Sequence, residues 1–229
     1  MRKITIAIDG FSSTGKSTVA KKLAKALGYI YVDTGAMYRA VTLFALENGF
    51  FKEDVLDKSA LIKSLVTIQL QFKFNEETQQ SDIHLNGKNV EKEIRTLRVS
   101  NKVSPVATVP EVREKLVAMQ QRMGKDKGVV MDGRDIGTVV FPEAELKLFM
   151  TASPEKRASR RYKELLDRGD KVTYEEVLKN VQERDRIDST RETSPLRQAV
   201  DAVPFDNSDM GLEEQFERIH QFALRIINQ

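Results

Sequence analysis

The sequence predicts an α/β protein built on a parallel sheet, and three observations carry that prediction. A β-branched strand, a glycine loop and an amphipathic helix follow one another between Ile4 and Gly28. Strand and helix patterns then alternate along most of the chain. Charged residues recur where apolar strand runs stop, at Asp33-Thr34-Gly35 and Asp132-Gly133-Arg134-Asp135, the edge at which open parallel sheets bind ligands.

The first stretch is the most informative. Ile4, Ile6 and Ile8 alternate with Thr5 and Ala7 and read as a buried strand. Gly10-Phe11-Ser12-Ser13-Thr14-Gly15-Lys16-Ser17 then matches G-x-x-x-x-G-K-[ST] in full, with Thr18 directly after it. Val19, Ala20, Leu23, Ala24 and Leu27 recur at helical spacing up to Gly28, where a C-terminal cap belongs. Gly10 and Gly15 give the backbone room to wrap an anion, the loop amides meet the positive end of the helix dipole, and Lys16 adds a full charge for β- and γ-phosphates. Ser17 is the expected Mg²⁺ ligand, and a nucleoside triphosphate the expected occupant.

Further elements follow in order. Tyr29–Val32 reads as a second strand, and Met37, Ala40, Val41, Phe44 and Ala45 as a helix ending at Asn48-Gly49, with Arg39 near its start, aimed at a second phosphate or at solvent. Leu56–Leu65 is weakly helical. Ile68, Leu70, Phe72 and Phe74 alternate with polar residues as one apolar strand face. A return through Ile83-His84-Leu85, the turn dipeptide Asn86-Gly87 and a strand near Val90 completes an antiparallel insert, with His84 on its solvated side. Val99, Val103 and Val106 suggest a short helix holding Ser104 and broken around Pro105. Pro110 opens another helix, with Arg113 near its start. Val129-Val130-Met131 and Leu146–Met150 are strands, and Ser153-Pro154 caps a helix to about Arg168. A second charged helix, from about Tyr174 to Asp188, forms with it a hairpin carrying Arg157, Arg160, Arg161, Arg184, Arg186 and Arg191, the pattern of a lid that closes on phosphate charge. Ala199–Phe205 is a last strand with Pro204 at an end or edge, and Leu212, Phe216, Ile219, Ala223 and Ile226 give a closing amphipathic helix.

Composition excludes several classes. With 229 residues, 40% of them hydrophobic, the chain has enough apolar side chains for a packed core. There is no cysteine for a disulfide, thiol nucleophile or cysteine metal site, and two isolated histidines make a poor zinc site. No apolar run approaches the roughly 20 residues of a membrane helix. Met1-Arg2-Lys3 leads straight into the first strand, so a cytoplasmic protein without signal peptide or membrane partner is expected. A net charge of +3, from 37 basic and 34 acidic residues, argues against a nucleic-acid partner and for small anionic ligands.

A phosphate loop alone leaves GTPases, motor ATPases and small-molecule kinases open. No D-x-x-G occurs, and Asn101-Lys102-Val103-Ser104 lacks the aspartate of a guanine-reading N-K-x-D, so a regulatory GTPase is disfavoured. Beyond the loop, Ile6-Ala7-Ile8-Asp9-Gly10, Asp33-Thr34-Gly35-Ala36-Met37-Tyr38-Arg39, the run from Asp132-Gly133-Arg134-Asp135 to Phe141-Pro142, and Glu183-Arg184-Asp185 with Asp188 and Arg191 resemble the bacterial cytidylate kinases over essentially the whole chain. Phe11, where many members have proline, and Pro204, where an unbroken apolar run is usual, depart from the pattern and bear on local rigidity.

That resemblance implies a three-layer P-loop α/β fold with a parallel five-stranded core sheet, an antiparallel β insert in the nucleoside-monophosphate-binding lobe and a helical lid. The expected organisation is a single kinase unit, with core segments at about 1–35, 96–153 and 192–229, the monophosphate lobe at about 36–95 and the lid at about 154–191. The implied reaction is ATP plus CMP or dCMP giving ADP plus CDP or dCDP, by a monomeric enzyme with Mg²⁺. The acceptor site would comprise Thr34, Arg39, Ser104, Arg113, Arg134, Asp135, Arg184, Asp188 and Arg191. Asp135 would take the cytosine N4 hydrogens while Arg113 donates to N3 or O2 with Ser104 assisting, an arrangement that uracil mismatches. Arg39, Arg134, Arg184 and Arg191 would hold the monophosphate and Asp188 the sugar hydroxyls. Lys16, Arg134, Arg184 and Arg191 would stabilise the transferring group, Arg157 and Arg161 would serve the ATP side, and Asp33 and Asp132 would either hold Mg²⁺ waters or orient arginines. The competing readings are a kinase for UMP or another acceptor, and an ATP-binding regulatory protein.

Overall fold

Every residue from Thr5 to Gly10 is buried, as the β-branched alternation requires of an interior strand. The computed structural model describes residues 2–229, so Met1, at the head of the lead-in to that strand, lies outside the described residues. In chain order the elements are β1 (Thr5–Gly10), α1 (Lys16–Leu27), β2 (Ile30–Asp33), α2 (Thr34–Glu47), β3 (Phe51–Lys52), β4 (Val55–Leu56), α3 (Lys58–Ser64), β5 (Leu70–Asn75), β6 (Gln80–Leu85), β7 (Lys88–Asn89), α4 (Leu97–Ser100), α5 (Val103–Ala107), α6 (Pro110–Met123), β8 (Val129–Gly133), a π-helical turn at Ile136–Val140, β9 (Leu146–Thr151), α7 (Pro154–Asp167), α8 (Tyr174–Thr190), β10 (Val203–Asp206) and α9 (Leu212–Ile227). They divide into two compact units, Met1–Val32 with Gln121–Gln229, and Asp33–Gln120.

The first unit holds a five-stranded sheet of order β10-β9-β1-β8-β2, parallel where β1 meets β8 and β9 and where β9 meets β10. Ile4, Ile6 and Ile8 pack with Val130, Leu148 and Met150 against Val19, Leu23, Ile219 and Ala223 of α1 and α9. The strand carboxyl ends therefore gather Asp9, Asp132 and the phosphate loop at one edge. Pro204 lies on β10, the sheet's edge strand, where its missing N–H costs no interior pairing. That strand begins at Val203 rather than Ala199, and Val200 is fully exposed, so the apolar run before it does not reach the sheet. On α9 the predicted stripe shifts: Leu212, the first residue of the helix, is 41% exposed, and Ile227 is buried instead.

In the second unit α2 supplies a buried stripe through Ala36, Met37, Ala40 and Val41. β5, β6 and β7 form the antiparallel insert, with Leu70 opposite Leu85 and Phe72 opposite Ile83. Asn86 and Gly87 both take positive φ, 49° and 84°, as a tight hairpin turn demands. Two expectations are corrected. The apolar face of β5 is covered only toward its start, leaving Phe74 62% exposed where it faces Ser81. The helix near Ser104 breaks before Val103 rather than at Pro105, which sits inside the first turn of α5, where a missing N–H forfeits no helical bond.

Gly10 marks the tightest backbone approach. Its φ is 146°, and a Cβ there would lie 2.0 Å from the Met150 carbonyl oxygen of β9. Gly10→Ala is therefore expected to lower stability by about 3 kcal/mol or more, combining the strained φ with a clash against interior backbone. A urea unfolding midpoint indistinguishable from the parent protein would refute this packing.

Candidate active site

A loop that turns its amides inward must turn its carbonyls outward, and each outward carbonyl needs a donor. Ser13 at φ 60° and Gly15 at φ 89° supply the left-handed residues that curl residues 10–15. The Phe11 carbonyl accepts from Lys16 Nζ at 2.6 Å and Thr14 Oγ1 at 3.1 Å, that of Ser12 from Arg157 Nη1 at 3.3 Å, and that of Thr14 from Asn207 Nδ2 at 2.7 Å and Arg160 Nη1 at 3.3 Å. The Gly15 carbonyl takes the Thr18 and Val19 amides as α1 begins. Burial, then the like charge of Arg134, lowers the Lys16 ammonium to about 7 against the opposing pull of Asp132, Asp9 and Asp188. Ser17 Oγ donates to Asp132 at 2.9 Å, and Tyr31 OH donates to the other Asp132 oxygen at 2.7 Å.

Asp9, not singled out for a role by the sequence reading, accepts the amides of Ile136 and Gly137 at 2.8 and 2.7 Å. Burial raises its carboxyl to about 7; the Gly137 and Ile136 amides oppose that, Asp135 adds to it, and Lys16 opposes it. The available signal was a lone acid ending an apolar strand.

The arginines of the α7–α8 hairpin divide by function. Arg157 is buried: it grips both Asp185 oxygens at 3.0 and 2.6 Å, donates to the Ala152 carbonyl at 2.9 Å and stacks over the Phe11 ring at 5.1 Å. Arg160 binds Asn207 besides the loop, and Arg161 pairs with Glu164 at 2.8 Å. Arg186 pairs on the surface with Glu183. Arg184 and Arg191 instead join a buried charge group on the same unit. Arg134 Nε donates to Asp188 at 2.8 Å, Arg191 lies 3.7 Å from Asp188 and 4.0 Å from Asp135, and Arg191 Nε donates to the Ser194 carbonyl. Burial works against the Asp188 carboxylate, yet Arg134, Arg184 and Arg191 hold it below the usual range.

On the second unit the predicted residues gather around the start of α2. Thr34 and Ser104 are buried, and Arg113 donates to the Ala107 carbonyl at 3.1 Å with its guanidinium 5.3 Å from the Tyr38 ring centre. Asp33 caps α2 through the Ala36 amide and accepts from Arg39 at 3.0 Å and from Arg95 at 2.9 Å. Arg95 escaped the sequence reading because nothing nearby in the chain marks it. A Cβ at Gly35 would lie 2.9 Å from Arg39 Nη1 and 3.1 Å from Asp33 Oδ1, so a side chain there would displace the end of Arg39. Asp33 and Asp132 thus differ in company: one holds arginines, the other the loop serine.

A phosphate loop, a parallel sheet and buried arginine–carboxylate clusters at the strand ends define a phosphotransferase of the P-loop kinase class. The family model described as cytidylate kinase matches residues 6–225, and the chain belongs to the cytidylate kinase family. The cytidylate kinase of Flavobacterium johnsoniae is 64% identical over 227 residues, 99% of each chain, and that of Flavobacterium psychrophilum 62% identical over 217 residues, 95% of this chain and 96% of the relative. The cytidylate kinase of Bacteroides thetaiotaomicron is 56% identical over 229 residues, the full length of both. No helix among the described residues is long and apolar enough to cross a membrane.

Burial disfavours the Asp33 carboxylate, but Arg39 and Arg95 outweigh it and hold the group well below its ordinary range. A depressed folded pKa contributes stability that is present above the unfolded value, near 4, and lost as pH falls toward the folded one. Asp33→Asn is expected to cost about 2 kcal/mol at pH 7, by taking a shared carboxylate from two half-buried guanidiniums. The gap to the parent protein should narrow only below about pH 4, measured as urea unfolding at stepped pH; a gap constant down to acid pH would refute the pairing.

Proposed function

We propose that the chain transfers the γ-phosphoryl group of ATP to CMP and dCMP. One observation supports this above the others: Lys16 of the phosphate loop shares a buried charge group with Arg134, Asp132 and Asp188, adjoining Asp135. Lys16 and Arg134 repel one another there, so a transferring phosphoryl group relieves that repulsion while gaining two cations. The acceptor phosphate is already an ionised nucleophile, so positioning and charge neutralisation suffice without a general base.

In this reading Arg39, Arg134, Arg184 and Arg191 hold the monophosphate with Thr34 as a further acceptor-site residue, and Asp188 accepts from the sugar hydroxyls. Asp135 accepts from the cytosine amino group, with Arg113 donating to N3 or O2 and Ser104 assisting; uracil would set a carbonyl against the carboxylate. Arg157 and Arg161 serve the donor side, Arg157 through the loop it clasps. Ser17 and Asp132 offer the hard oxygen donors that suit Mg²⁺, which when bound neutralises charge on the β- and γ-phosphates. Asp33 is assigned to orienting Arg39 and Arg95.

A coupled ADP-release assay with CMP, dCMP, UMP, AMP and GMP tests the reading. Turnover is expected with CMP and dCMP and far less with the others; equal rates on CMP and UMP would sink the cytosine-reading role, and no turnover with any monophosphate would sink the kinase reading. Lys16→Ala should lower kcat on the order of a hundredfold. Asp135→Ala should raise KM for CMP about tenfold and narrow the gap to UMP.

A further inference from the structure

We propose that Asp9 is a positioning residue for base selection, its carboxylate holding the π-helical turn in the orientation that aims Asp135. This rests on the reading of Asp135 as the cytosine acceptor. The contact spans 127 residues of chain from Asp9 to Ile136. It uses both carboxylate oxygens on two successive amides immediately after Asp135. The Asp9 backbone has little freedom, since it pairs with Gly133 on one side and Phe149 on the other. The turn is closed onto Asp135 itself, whose carbonyl accepts the Val139 and Val140 amides at 2.9 and 3.2 Å.

An aspartate that opens a helical turn ordinarily accepts the first amides with its own side chain. Asp135 makes no such cap, and Asp9 takes that role from another strand. The Asp135 carboxylate is thereby turned to Arg191 instead of its own backbone. Gly137 lies in the same tight packing: a Cβ there would press on Lys147 Cδ at 3.1 Å and reach contact distance, 3.4 Å, from Asp9 Oδ2. Lys147 holds the far side of the turn by donating to the Pro142 carbonyl and pairing with Asp201. Gly10, the residue after Asp9, is pinned separately by its register with Met150, so the backbone position of the donor loop does not depend on the carboxylate.

Asp9→Asn preserves shape but offers one acceptor and one donor, so one of the two amides faces an NH₂ group. Steady-state kinetics with CMP, UMP and ATP read the outcome. KM for CMP should rise about tenfold, the CMP-over-UMP ratio of kcat/KM should fall about tenfold, and KM for ATP should stay within about twofold. In an Asp135→Ala background the same change should cost no further selectivity, because the two residues act through one group. A folded Asp9→Asn protein with undiminished CMP preference, or one that changes both substrates' constants alike, would overturn the proposal. Should Asp9→Asn fail to fold, Asp9→Ser removes one of the two acceptors in a smaller side chain and must meet the same criteria. A parent protein without CMP preference would overturn the role of Asp135; a parent preference untouched by the Asp9 change overturns only the role of Asp9.

Discussion

The outward carbonyls of the phosphate loop are the constraint on which the rest of the first unit depends. Inward amides are useful for binding an anion only if the opposite face of the peptides is also satisfied, and Ser12 and Thr14 are buried, where water cannot do it cheaply. Lys16, Arg157, Arg160 and Asn207 meet that need from α1, α7 and the end of β10. Part of a hairpin that reads in sequence as a reservoir of mobile arginines is therefore bound to the loop. Arg157 carries this furthest, since a single guanidinium ties the loop, the β9–α7 junction and Asp185 of α8 together. Arg184 and Arg191, on α8 and at its end, are instead drawn to Asp188.

The four acids at strand ends show how partners divide labour among identical groups. Asp33, between two guanidiniums and a helix amide, is held firmly ionised. Asp132 takes two hydroxyl donors, a setting suited to sharing its oxygens with a cation. Asp9 takes only neutral amides, and burial pushes it up to about 7. Asp135 faces a guanidinium at the limit of ion-pair distance. Side-chain chemistry is constant across the set; what differs is the partners each acid is given.

What was legible in the chain was local. The G-x-x-x-x-G-K-S run, the Ser153-Pro154 start of α7, the Asn86-Gly87 turn and the α6 start at Pro110 each depend on residues within one turn of each other, and each appears where the pattern placed it. The misses follow from burial or from distance. Phe74 and Leu212 match the period of their elements, but periodicity does not say where the covering layer ends. Arg95 and Asn207 act on partners 62 and 193 residues away, and no local pattern encodes such a meeting. Asp9 lies between: an acid in an apolar strand is visible as an anomaly, yet its two amide partners are not.

Phe11 illustrates how a departure from a family pattern can be compensated outside its own neighbourhood. A proline at that place would stiffen the loop through its fixed φ, a local constraint acting partly on the unfolded chain. Phenylalanine leaves φ unconstrained, but its ring lies 5.1 Å from the Arg157 guanidinium and meets Phe149 edge-on at 6.2 Å, in a cluster with Leu196 and Ala202. Rigidity at the loop's second residue is then a property of tertiary packing. It depends on the same arginine that holds the Ser12 carbonyl, so the ring and the hydrogen bond reinforce one another. Replacing the ring by proline in this chain would restore the local constraint and remove the cover over Arg157, so the substitution is conservative for the loop and not for the clasp that carries it.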